Sequence, residues 1–179
     1  HISPVGHSAV FGAADFLAAH FGVEVLYLPI NSQGLIDVEA CEKCFDTPVD
    51  MVVCEYGNSE IGVLQPVAKI GKMLIRNAAE TSTKKPDFIV DAAAGIVTQK
   101  ISLDYQKCDA IAISGEKIGG LSGLGILLKS DQLDLAPIQK GSHEFGLRGG
   151  TENWWGITAF TRALEYLTEN QEANNQKYL

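Results

Sequence analysis

The sequence predicts an α/β fold, with three α/β/α layers around a mixed, mostly parallel sheet. Two patterns predict it. Short continuous apolar runs, such as Asp50-Met51-Val52-Val53-Cys54-Glu55 and Phe88-Ile89-Val90-Asp91, are separated by helix-length stretches, the pattern of strands covered on both faces. The connection from Ser114 through Gly125 is too short for a crossover helix, so the strands on either side of it form an antiparallel or bent pair. The 179 residues show no repeat and no linker, and are read as one domain over 1–179, long enough to bury a core.

The elements follow in chain order. His7 to Phe21 reads as an amphipathic helix with Val10, Ala14, Leu17 and Phe21 on one stripe. Val23 to Leu28 reads as a strand and Asn31 to Gly34 as a turn. Asp37 is placed to cap the helix that carries Cys41 and Cys44. Asp50 to Glu55 is a strand. Pro66 suits the first turn of a helix running to about Glu80, and Thr81 to Lys85 is a polar loop. Phe88 to Asp91 is a strand ending in a carboxylate; Asp109 to Ser114 and Leu124 to Lys129 are two more. Thr151 to about Glu169 is a long helix with an Asn/Gln-rich end that frays. Trp154 and Trp155 open it and read as core or dimer-interface packing.

Bulk composition narrows the partners. A net charge of -8 and a pI near 4.9 count against nucleic acid and anionic membrane. No apolar run approaches the roughly 20 residues of a membrane span, and no signal peptide is visible. Cys41 and Cys44 form a C-x-x-C with no second pair at zinc-site spacing, so the pair reads as structural and no metal is expected. Cys54 and Cys108 sit in or beside apolar runs as small hydrophobes. Nothing here calls for an oxidising compartment, and the expected location is the cytoplasm.

The chemistry concentrates at strand ends, where α/β sheets bind ligands. Asn58, Ser59 and Glu60 follow one strand, Asp91 closes the next, and Ser114-Gly115-Glu116-Lys117 follows another; His7 opens the first helix. A lysine on a glycine-rich turn between apolar strands can lie beside a pocket, where desolvation favours the neutral amine that forms Schiff bases. Lysine, carboxylate and imidazole converging from separate elements are what pyridoxal phosphate needs: an amine for its aldehyde and an acid for its ring nitrogen.

Five segments then resemble one family in order. Gly6-His7-Ser8-Ala9-Val10 resembles a Glu-His-x-Ala-Val segment. Asn58-Ser59-Glu60-Ile61-Gly62-Val63-Leu64-Gln65 is similar to Asn-Asn-Glu-Ile-Gly-x-x-Gln. Val90-Asp91-Ala92 matches Val-Asp-Ala, and Ser114-Gly115-Glu116-Lys117 resembles Ser-Gly-His-Lys. Gly141 to Thr151, with His143, Glu144, Gly146 and Arg148, is similar to Gly-Gly-His-Glu-x-Gly-x-Arg-x-Gly-Thr. The chain resembles, from about Ile2 to about Leu167, the large-domain core of the class V aminotransferase and cysteine desulfurase family of fold-type-I pyridoxal phosphate enzymes. The resemblance implies that Lys117 carries the cofactor and shuttles protons, and that Asp91 pairs with the pyridinium nitrogen. It implies that His7 stacks on the ring and assists proton transfer as a catalytic residue beside Lys117, that Ser59 lies by the cofactor hydroxyl, and that Ser114 binds the phosphate. Thr151 would reach the phosphate of the other subunit in a homodimer, with Arg148 on the same loop.

The departures are as specific. Where the family has a phosphate-binding histidine this chain has Glu116, whose repulsion toward a phosphate is on the order of 1 kcal/mol even in a water-like dielectric. Ser59 replaces an asparagine, Ala94 a glutamine, and Gly6 a glutamate. The resemblance also implies that a phosphate loop lies upstream of His1 and a small domain, with the sulfur-accepting cysteine, downstream of Leu179. A longer protein or a complementary chain would supply them, and this chain alone is expected to be inactive. The expected function is desulfuration of cysteine. A non-catalytic dimeric scaffold of the same fold, or another class V reaction on an amino acid, is the alternative.

Overall fold

The computed structural model describes residues 1–97 and 101–170. Helix α1 (Ser8–Phe21) starts at His7, whose Nδ1 accepts the Ala9 N–H at 3.2 Å, and ends at Gly22 in the left-handed region. The Asn31 turn forms as expected, and Asp37 Oδ1 accepts the Ala40 N–H at 3.0 Å to cap α2 (Val38–Cys41). A 3-10 turn, Glu42–Phe45, continues α2. Strand β1 (Met51–Glu55) leads into a hairpin of two short strands, β2 (Gly57–Asn58) and β3 (Val63–Leu64). Then come α3 (Val67–Thr81), β4 (Asp87–Asp91), the one-turn α4 (Leu103–Gln106), and β5 (Ala110–Ser114). A 3-10 turn over Gly115–Ile118 precedes β6 (Gly125–Lys129), and α5 (Trp154–Glu169) follows. The Asn/Gln-rich end beyond 170 lies outside the described residues.

The sheet is mixed and mostly parallel, as the sequence predicts. Its order is β1-β4-β5-β6, with β1, β4 and β5 parallel and β6 antiparallel to β5. Two single rungs extend it past β1. Ile2 bridges Val53 on one side and Tyr27 on the other, both in parallel. The expected strand from Val23 to Leu28 is therefore one rung. Its backbone partner is the short Ile2 segment, which takes bonds only at Leu26 O and Leu28 N. Leu28 is buried there while Val23, Leu26 and Tyr27 stay exposed.

Register decides which side chains share a face. Val52 pairs with Phe88, Cys54 with Val90 and Val90 with Ile111, so these five point the same way. They meet Ile70, Met73 and Leu74 of α3 in a closed core with Phe160 of α5. Val53, Ile89 and Asp91 on the opposite face are half-buried. The stripe expected on α1 is covered at Ala14 alone among its four residues fully; Leu17 and Phe21 are exposed. All four thiols are free, and burial pushes Cys41 up to about 12, with Cys44 adding to the rise.

Candidate cofactor site

Four adjacent parallel segments aim their carboxyl ends to one side, and most of the expected site residues follow those ends. The Ile2 segment runs into Pro4–Gly6 and His7. Strand β1 runs into Asn58 and Ser59, β4 ends at Asp91, and β5 ends at Ser114. Two bonds lock neighbouring ends together: Tyr56 N–H donates to Asp91 O at 2.7 Å, and Asn58 Nδ2 donates to Val5 O. Asn58 Oδ1 also accepts from the N–H groups of Glu60 and Ile61, which shapes the hairpin that holds Ser59. Ser59 and His7 are exposed. His7 uses Nδ1 as its helix cap, which leaves the ring proton on Nε2.

Asp91 Oδ1 accepts the Ala93 N–H at 3.0 Å, and no described residue bonds to Oδ2. One oxygen is thus fixed by the turn and the other is open. The lysine turn is tight. Gly119, at φ 90°, returns its N–H to Glu116 O, and a Cβ on Gly120 would stand 2.8 Å from Gly115 O. Phe160 of α5 packs beneath it, 3.3 Å from the Cβ position of Gly115. The burial expected for Lys117 is not found: its side chain is 56% exposed, and Nζ lies 3.7 Å from Glu116 Oε1. A 3-10 turn projects both side chains outward over the strand ends, so the neighbour of the amine is a carboxylate and not an apolar wall.

Thr151 and Arg148 follow none of these strand ends. Both are exposed on the loop before α5, and among the described residues no side-chain hydrogen bond or ion pair joins them to the lysine turn. The loop is pinned by the His143–Arg148 bridge and by three successive left-handed residues, Glu144, Phe145 and Gly146. His143 Nδ1 meets Glu152 Oε1 at 2.5 Å; a backbone bond and then His143 hold the Glu152 carboxyl below its usual range. His143 is a loop brace.

Sequence reasoning missed Glu55, taken only as a strand end. It is 4% exposed, accepts from Gln65 Nε2 at 3.1 Å, and pairs in register with Asp91. Burial raises its pKa; the polar neighbours Ser3, its own backbone and Gln65 oppose the rise, and Asp91 adds to it. The signal was a glutamate closing an otherwise apolar run.

A parallel sheet with one antiparallel strand and functional side chains gathered past its carboxyl ends is the frame of the fold-type-I transferases. The family is narrower: the model described as Aminotransferase class-V matches residues 1–179, and the chain belongs to that family, which depends on pyridoxal phosphate. It is 28% identical over 175 residues to the putative cysteine desulfurase IscS 1 of Bacillus subtilis (strain 168), covering 97% of this chain and 44% of that protein. Among solved structures, a NifS-like protein superposes with a TM-score of 0.88 at 29% identity, over 96% of this chain and 46% of its own. SspA in complex with cysteine does so with a TM-score of 0.81 at 30% identity, over 92% and 46%. The chain thus spans less than half the length of these relatives.

The donor set fits pyridoxal phosphate at the aldehyde and ring-nitrogen ends. Lys117 offers a reachable amine, and Asp91 offers an oxygen without a partner among the described residues. The Ser114 hydroxyl is a group that suits a phosphate, and the Glu116 carboxylate on the same turn is one that repels it.

Proposed function

We propose that this chain is the central part of the large domain of a pyridoxal phosphate enzyme of the cysteine desulfurase type. The observation that supports the reading is that His7, Ser59, Asp91 and the Ser114–Lys117 turn each follow the carboxyl end of one of four neighbouring parallel segments. Lys117 would hold the cofactor through Nζ and move protons at the reacting carbon. Asp91 Oδ2 would take the ring N–H, His7 would cover the ring, Ser59 would lie by the ring hydroxyl, and Ser114 and the Thr151 of a second copy would hold the phosphate. When bound, the cofactor supplies an electron sink that weakens bonds around the α-carbon of an amino acid. Cysteine is the substrate this reading favours, because one relative is titled a complex with cysteine and another a cysteine desulfurase. The reading places the acceptor thiol outside this chain, because burial raises all four thiols away from the thiolate, Cys41 up to about 12 and Cys108 up to about 11.

Free thiols fit a cytoplasmic setting. The reading takes residues 1–179 as one domain and includes a homodimer. Phe145, Trp154, Trp155 and Ile138 are strongly exposed on and near the loop that bears Thr151, and a second copy would cover them. Sedimentation at tens of micromolar is expected to return a dimer; a monomer removes the role of Thr151. The non-catalytic scaffold is the second reading, favoured by Glu116 beside Lys117 and by Ala94 in the place of a hydrogen-bonding side chain. Visible absorbance separates the two: added pyridoxal phosphate colours the chain and not Lys117→Ala in the first, and colours neither in the second.

A further inference from the structure

Glu55 is the buried ionisable group that the cofactor reading leaves unused. It closes β1 at the ligand end of the sheet with 4% exposure. Gln65 Nε2 donates to Oε1, and Gln65 is itself fixed, donating to Gly34 O at 2.8 Å and accepting from Ile36 N–H at 2.9 Å. Oε2 is buried with no hydrogen-bond partner among the described residues. That oxygen lies 3.6 Å from the position a Cβ on Gly6 would take, an ordinary van der Waals distance, so the carboxyl group packs against Gly6 next to His7. The same loop is tied down by Asn58 at Val5 O. Across the sheet Glu55 is the register partner of Asp91, and register partners project from the same face.

Two carboxyl groups on register partners, one buried and one half-buried, do not both ionise readily. Glu55 is the more enclosed, while Asp91 has an N–H donor of its own at Ala93. We propose that Glu55 is a positioning residue whose neutral carboxyl group supports the Gly6–His7 loop from below and leaves the negative charge at the strand ends to Asp91. Among the described residues, the charged group that acts on it from the elements packed around it is Asp91 on β4; Ser3 from the first segment and Gln65 after β3 are neutral. The inference deepens the cofactor-site reading. It is tested on the cofactor-free chain, so a chain that never binds pyridoxal phosphate still returns an answer.

The sign of the stability effect follows from the direction of the shift. An acid whose folded pKa is raised contributes stability that is fully present below its unfolded value, near 4.5, and lost as pH rises through the folded value. Glu55→Gln keeps the shape and cannot ionise. It is expected to melt at the parent's temperature near pH 4.5 and above it at pH 8. Carbon-13 spectra of the glutamate carboxyls in the unsubstituted chain should show one group protonated well past the ordinary range, and Glu55→Gln should remove that signal. The His7 imidazole resonances are expected to keep their positions in Glu55→Gln and to shift in Glu55→Ala. A Glu55 signal that titrates with the exposed glutamates, or a Glu55→Gln chain no more stable at pH 8 than the parent, overturns the proposal. So does a His7 spectrum indifferent to Glu55→Ala.

Discussion

Glu116→His is expected to tighten pyridoxal phosphate binding by about tenfold to a hundredfold. Glu116 shares the 3-10 turn with Lys117, and its carboxylate stands 3.7 Å from the amine that would hold the cofactor. Removing a charge that repels the phosphate recovers about 1 kcal/mol in a water-like dielectric and more in a drier one. An imidazole N–H donating to phosphate adds about 1.5 kcal/mol or more, as charged hydrogen bonds do. Each 1.4 kcal/mol is about tenfold in Kd. The substitution also frees Lys117 Nζ from its ionic neighbour. Titration of both proteins with pyridoxal phosphate, followed by visible absorbance, measures the ratio. An unchanged or weaker affinity would show that Glu116 does not face the phosphate.

The largest effect on the fold is expected at Phe88. This ring is 0% exposed in β4, on the closed face that it shares with Val52, Val90 and Ile111 against α3. Phe88→Ala removes about 3–5 kcal/mol through lost burial and the cavity left behind. Total stabilities are about 5–15 kcal/mol, so this is a large share. For a chain of this size, about 2–4 °C is lost per kcal/mol, which gives a fall of about 6–20 °C in Tm. Lys72→Ala, exposed on α3, should change Tm little. Because Phe88 lies three residues before Asp91 on one strand, loosening it also loosens the base of the site. Equal melting temperatures for the two variants would mean that the core does not sit on that face.

The strands that were legible in the sequence are those with a fully paired ladder. Strands β1, β4 and β5 are continuous apolar runs, and the missing crossover between Ser114 and Gly125 made the antiparallel β5–β6 pair readable. Val23 to Leu28 has the same apolar look, but its partner is a single rung at Ile2, and pairing is a property of the neighbour's length as much as of the segment. The hairpin from Gly57 to Leu64 was hidden because one side chain, Asn58, shapes it by bonding to the backbone at Glu60 and Ile61. At the candidate site, positions were legible: Asp91 and Lys117 follow strand ends and His7 opens the first helix, as the sequence implied. The environment of Lys117 was not, since glycine content indicates a turn and not which way its side chains project. Glu55 stayed hidden for the opposite reason. Its type marks it for the surface, and only its 4% exposure beside Gln65 and Gly6 reveals it as interior.

The central claim is that Lys117 is the amine that holds pyridoxal phosphate. Borohydride reduction of the chain after incubation with the cofactor, followed by peptide mapping, tests it most directly. The label is expected on Lys117, with the visible colour bleached by reduction and absent from Lys117→Ala. Label scattered over exposed lysines such as Lys72 and Lys84, with Lys117 no more modified than they are, would contradict the account.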